Sequence, residues 1–194
     1  MSTEPRLVLA SASPRRLDLL RQIGLIPDAV EAPDLDETPR HDETPRRQAL
    51  RLAQEKAALI AGRQPGAHVL AADTVVAVGR RVLPKAQDAA EVRACLKLLS
   101  GRAHKVLTGV AVIAPDGRSA ARLVESRLHF TRLSDAEVDA YVQSGEGVGK
   151  AGGYAIQGRA GALVISLQGS YSGVVGLPLY ETANLLAGLG FRRP

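Results

Sequence analysis

A chain of 194 residues with 45% hydrophobic and 23% charged side chains holds enough material for one domain with a sizeable core. No apolar run reaches the roughly eighteen residues of a membrane-spanning helix, and no signal-peptide core follows a basic start. The net charge of +5 points to an acidic partner, but with 3% aromatic residues and no Trp the chain lacks the stacking platforms of a nucleic-acid strand binder, so a small phosphorylated ligand fits better.

Short apolar runs alternate with helical stretches, which predicts an α/β protein. Residues 7–10 read as a strand, followed by a turn at 11–13 and a helix with Pro14 at its first position, running through Leu17, Leu19 and Leu20 to Gly24. Val30 and Ala32 suggest a second strand, and 33–45 an acidic, proline-containing loop. The next helix places Leu50, Ala53, Ala57 and Ile60 on one face and ends at Gly62. Residues 68–72 read as a buried strand that continues over 74–78 beyond Asp73, with Gly79-Arg80 turning it back toward Val82. Asp88 opens a third helix through Val92, Cys95, Leu96 and Leu99. Cys95 is the lone cysteine, so it forms no internal disulfide and fits a reducing cytoplasm.

Residues 105–114 and 121–131 predict two long strands joined at Pro115-Asp116-Gly117. Ser134 and Glu137 form a capping box for a helix ending at Gly145. A glycine-rich segment, 152–161, precedes a strand at 163–167, and Pro178 begins a last helix containing Leu185, Leu186 and Leu189. Paired strands beside helices imply a mixed sheet.

Three places carry candidate chemistry. Ser11-Ala12-Ser13-Pro14-Arg15-Arg16 puts hydroxyls and two guanidinium forks at a helix start, whose free N–H groups favour anions. The same pattern fits a plain serine cap with two exposed arginines. Asp73 interrupts an apolar run, which is costly for a carboxylate unless it is paired, metal-bound or at an exposed strand end. It can hold Mg²⁺, serve as general base toward water, or simply terminate a strand. Lys56 and Lys85 are surface lysines by default, although Lys85, after Pro84, can meet a phosphate. In Lys150-Ala151-Gly152-Gly153-Tyr154-Ala155-Ile156-Gln157-Gly158, glycines permit close backbone approach and Gln157 can read the edge of a base, or the segment is a flexible loop. No P-loop, serine-hydrolase elbow or sequence-evident zinc site occurs.

In their order and spacing these segments resemble the Maf family of nucleotide pyrophosphatases over nearly the whole chain. The matching stretches also include Ala53-Gln54-Glu55-Lys56-Ala57, Ala72-Asp73-Thr74-Val75, Leu99-Ser100-Gly101-Arg102-Ala103-His104 and Val175-Gly176-Leu177-Pro178. The resemblance implies hydrolysis of a nucleoside triphosphate between its α and β phosphates, with Mg²⁺ or Mn²⁺. It implies one domain over 1–194 with a strongly twisted, mixed central sheet flanked by helices. Two lobes would enclose a nucleotide cleft, as in the inosine triphosphate pyrophosphatase-like fold, and a homodimer is what the family suggests.

By the same resemblance Asp73 is the catalytic acceptor and Ser11, Ser13, Arg15, Arg16, Lys56 and Lys85 line the phosphate end. Glu37 joins Asp73 in helping with metal or water. Arg15, Thr74 and Gln157 match positions linked to substrate choice, and all three are similar to the subgroup acting on dTTP and UTP. The chain departs from the family at Pro84-Lys85-Ala86, where the proline usually follows the lysine. A competing expectation is a nucleotide-sensing regulator of septum formation that does not hydrolyse, although such a protein would not need Asp73 beside a phosphate cradle.

Overall fold

The computed structural model describes residues 5–191 and has a single mixed sheet of seven strands. The two ends of the span expected for the domain, including most of the N-terminal stretch read for a targeting signal, lie outside the described residues. Strand β1 (Arg6–Ala10) leads into α1 (Pro14–Gln22), β2 (Ala29–Glu31), α2 (Pro45–Ala61), β3 (Ala67–Val78) and β4 (Arg81–Leu83). Then come α3 (Ala89–Leu99), β5 (Ala103–Ile113), β6 (Ser119–Phe130), α4 (Asp135–Gln143), β7 (Val164–Gln168), α5 (Tyr171–Val175) and α6 (Leu179–Gly188). The strand order is β2-β1-β3-β5-β6-β7, with β4 also paired to β3. None of the helices among the described residues is long and apolar enough to cross a membrane.

Strand periodicity sorts the core into two layers, because successive side chains leave opposite faces of a sheet. Leu7, Leu9, Leu70 and Ala72 pack on one face with residues of α1, α3, α4 and α6. Val8, Ala10, Val69 and Ala71 pack on the other against Ala53, Ala57 and Ile60 of α2. Small residues spaced four apart, Ala49, Ala53 and Ala57, let α2 lie close to the sheet. Gly109 on β5 completes that fit: a Cβ there would stand 2.2 Å from the Ala49 carbonyl oxygen.

The sheet also contains the opening that forms the site. β1 runs parallel to β3 and stops at Ala10, opposite Ala71, whereas antiparallel β4 meets β3 only from Val76 onward. β5 covers the other edge of β3 continuously from Val69 to Ala77. Residues 72–75 of β3 therefore have no strand neighbour on the β1 side. A crevice beyond the carboxyl ends of adjacent strands is a common ligand position in α/β sheets.

Asp73 is consequently not at a strand end. It lies mid-strand, opposite Gly109, in one long strand rather than two segments, because antiparallel pairing with β5 carries β3 past the point where its parallel partner stops. Three further features differ from the sequence pattern. The second strand is centred on Val30 and excludes Ala32. A 3-10 turn at Arg159–Leu163 and the short α5 occupy segments without strong periodicity.

Candidate active site

The start of α1 is an open helix terminus. Ser13 occupies the N-cap position with extended backbone, yet its side chain makes no capping bond. Ser11 Oγ instead accepts the Ser13 N–H at 3.0 Å. Local geometry thus argues against an ordinary serine cap and leaves Ser13 lining the crevice with Arg15, which is partly buried. Burial lowers the Arg15 guanidinium from its ordinary value.

Arg16 is held by the protein itself. Its Nε donates to the Gly176 carbonyl at 2.8 Å, Nη1 to Ser11 Oγ at 3.2 Å and Nη2 to Thr74 Oγ1 at 3.4 Å. Burial lowers its pKa, Asp73 opposes that, Arg15 reinforces it, and Glu37 opposes it again. Thr108 gives its one hydroxyl proton to the Gly173 carbonyl at 2.8 Å, so Thr74 Oγ1, 3.2 Å away, donates to Thr108 Oγ1. The Thr74 hydroxyl is therefore fixed by α1, β5 and the chain around α5. Thr108 went unnoticed in the sequence, where its signal is one polar side chain in the apolar run Val106-Leu107-Thr108-Gly109-Val110.

Asp73 and Thr74, as strand neighbours, leave opposite faces of the sheet. Thr74 meets Arg16, while Asp73 meets Lys56 of α2, whose Nζ lies 2.6 Å from Asp73 Oδ1. Lys56 is not the surface lysine expected by default. It is 5% exposed, one turn beyond Leu52 and two beyond Gln48, both buried on the same helix face. The Lys56 ammonium bonds Glu37 as well, and Glu37 bonds Lys85 across the cleft. Burial raises the Glu37 carboxyl, but hydrogen bonds from both lysines outweigh it and hold the group below the usual carboxylate range.

Lys85 is exposed but placed. It pairs with Ala151 as an isolated bridge, Gly152 donates to the Pro84 carbonyl at 3.0 Å, and Ala86 donates to the Lys150 carbonyl at 3.1 Å. A proline at 86 has no N–H for that last bond. The departure from the family pattern therefore ties the lysine segment directly to the glycine segment. In the latter, Gly152 and Gly153 have φ of +69°, a region favouring glycine; a Cβ would stand 2.8 Å from Val76 at Gly152 and 3.0 Å from Cys95 at Gly153. Tyr154 is pinned beneath by His104 Nε2 at 2.8 Å, and Tyr141 Oη accepts the Ala155 N–H at 3.0 Å. Gln157 stands exposed at the rim.

These groups surround one cleft of about 310 Å³ that reaches Ser11, Ser13, Arg15, Arg16, Glu37, Lys56, Asp73, Thr74, Lys85 and Gln157 together. Every site residue expected from the sequence is in it. Lys150 is an addition at the same wall, and burial followed by the Arg15 charge lowers its ammonium. Among the described residues no three His, Cys, Asp or Glu side chains gather as a metal cage. The donor set suits a metal of another kind: Mg²⁺ is commonly held by one or two carboxylates together with substrate phosphates. Asp73 and Glu37 both reach the Lys56 ammonium, so both lie within reach of one small cation.

An open helix start, five cationic side chains and a buried carboxylate at one sheet opening define an α/β protein with a cleft suited to a polyanion beside a carboxylate. The Maf-like protein family model matches residues 6–189, and the chain belongs to that family. It is 69% identical to the dTTP/UTP pyrophosphatase of Caulobacter vibrioides over 99% of this chain and all of the relative. It is 64% identical to the dTTP/UTP pyrophosphatase of Maricaulis maris, over 96% of this chain and 89% of that one. Among solved structures, a HAM1 protein from Coxiella burnetii is similar over 66% of this chain and 74% of that chain, with 19% identity and a TM-score of 0.45. Maf-family nucleotide pyrophosphatases are generally divalent-metal dependent.

Proposed function

We propose that this chain hydrolyses dTTP and UTP to the nucleoside monophosphate and pyrophosphate, with Mg²⁺ or Mn²⁺ as the cation. The observation that carries the reading is the meeting of Asp73, buried against Lys56, with Arg15 and Arg16 at one sheet opening. The relatives with this substrate name match the chain nearly end to end.

In this reading the triphosphate enters with its charged end on the α1 terminus, where free N–H groups and the Ser13 hydroxyl meet phosphate oxygens. Arg15, Lys85 and Lys56 neutralise charge growing on the pyrophosphate leaving group. Arg16 acts chiefly through what it holds, because its guanidinium already bonds Ser11, Thr74 and Gly176. Asp73 orients a water, or takes its proton, for in-line attack on the α-phosphorus. Asp73 and Glu37 would hold the divalent cation, which when bound adds further neutralisation of phosphate charge. Gln157 offers donor and acceptor to the pyrimidine edge. The proposal includes a cytoplasmic location, which the buried, free Cys95 fits, and a homodimer, which rests on the family resemblance alone.

A panel of nucleoside triphosphates with Mg²⁺, scored for monophosphate and pyrophosphate, tests the reading. Release of orthophosphate, or no turnover of dTTP and UTP, would overturn it.

A further inference from the structure

Glu37 reaches the cleft from a loop with little regular structure, and Arg51 of α2 holds that loop from below. The Arg51 guanidinium grips Glu43 with two arms, Nε to Oε1 at 2.6 Å and Nη2 to Oε2 at 2.7 Å. Nη1 donates to Glu55 Oε2 at 2.8 Å, and Nη2 also donates to the Thr38 carbonyl at 3.4 Å, one residue past Glu37. Arg40 closes the ring: its N–H donates to Glu43 Oε2 at 3.1 Å and its guanidinium to Glu55 Oε1 at 2.7 Å. The Arg51 and Glu43 side chains are 13% and 7% exposed, so solvent does little to loosen the fork. Bidentate pairs of this kind fix geometry as well as charge.

We infer that Arg51 and Glu43 are positioning residues for the reaction: they set the loop so that the Glu37 carboxylate stands between Lys56 and Lys85. The inference rests on the reading of Glu37 as a working group of the site. A pair that merely stabilised the start of α2 would act independently of Glu37. A pair that acts through Glu37 loses its effect once Glu37 is gone.

The test is a double-mutant cycle on the full chain with dTTP and Mg²⁺. Glu43→Gln is expected to lower kcat/KM by about ten- to a hundred-fold, the scale of a misplaced group. In a Glu37→Gln background the same change should cost nearly nothing. Arg51→Lys, which keeps the charge but loses the fork, should behave like Glu43→Gln and serves if that variant does not fold. Amide exchange supplies a readout that needs no turnover: residues 35–38 should exchange faster in either variant while β3 stays protected. Equal losses in both backgrounds, or unchanged exchange at 35–38, would overturn the inference. Failure of the proposed function shows separately, as a wild-type protein that does not turn over dTTP or UTP, and the exchange result then decides the anchoring by itself.

Discussion

Lys56 Nζ stands 2.6 Å from Asp73 Oδ1 and bonds Glu37 as well, so one ammonium ties a carboxylate inside the sheet to the acidic loop over the cleft. The Lys56 and Asp73 side chains are 6% and 5% exposed, and beyond the charge of nearby Arg16 the apolar run of β3 gives Asp73 little else to offset its own. Removing one member of such a pair leaves a buried charge uncompensated, which is far more costly than losing an exposed pair.

That asymmetry makes the two partners unequal under mutation. Lys56→Met strands Asp73 without its hydrogen-bonded cation and is expected to cost about 3–5 kcal/mol in urea unfolding. Asp73→Asn leaves Lys56 with Glu37 and should cost clearly less, yet lower kcat by about 10²–10⁴-fold. A folded Asp73→Asn enzyme with near-native turnover would remove Asp73 from the chemistry. Equal destabilisation by the two variants would refute the charge argument.

Gln157 should separate recognition from stability, because it lines the cleft yet is exposed at its rim. Gln157→Glu removes the amide donor and adds a charge that no part of the core feels. KM for dTTP and UTP is expected to rise at least about ten-fold, the scale of one unpaired polar contact, with kcat and melting temperature nearly unchanged. Steady-state kinetics with both substrates decide it, and an unaltered KM would rule out a base-reading role.

Much of this was legible in the sequence because strand and helix periods are local properties. Leu7 to Ala10 and the Ser134–Glu137 capping box form as patterned, and the α2 stripe does so at Ala53, Ala57 and Ile60, with Leu50 only half-buried beside it. What escaped depends on where strands stop relative to one another. For Asp73 the sequence left a paired, a metal-bound and a strand-end carboxylate open; the pairing with Lys56 and the gap left by β1 and β4 decide among them only in three dimensions. Lys56 read as a surface lysine because nothing local announces that a glycine fifty-three positions later lets its helix sink onto the sheet.

That glycine gives a structural prediction. Gly109 lies opposite Asp73, and a Cβ there would stand 2.2 Å from the Ala49 carbonyl oxygen and 2.9 Å from Leu50 Cα, both backbone atoms that cannot rotate away. Gly109→Ala must push α2 off the sheet, at an expected cost of about 3 kcal/mol or more. The same displacement draws Lys56 from Asp73, so kcat should fall even in the folded fraction. Urea melts and turnover measured together check this, and a variant stable to within about 0.5 kcal/mol of the parent would show that the helix has slack.

The last prediction concerns pH. His104 is 2% exposed, its ring packed edge-on against Phe130 and Tyr154, with Nε2 at 2.8 Å from the Tyr154 hydroxyl. Burial pushes its pKa down from 6.5 to about 4. Between those values the unfolded chain binds a proton at this histidine and the folded protein does not. Stability therefore falls as pH drops from 6.5 to 4 and is fully retained above that window. The shift corresponds to about 3 kcal/mol. Carboxylates held low by their partners, Glu43 among them, lose stability only at the acid end of this range and below, so the difference between parent and His104→Gln isolates the imidazole. Urea midpoints for both proteins at intervals from pH 7 to 4 should converge as the parent weakens, or cross, with most of the change above pH 4.5. A constant difference across that range would mean that the ring is not held neutral, and that Tyr154 and the glycine segment above it do not depend on an uncharged His104.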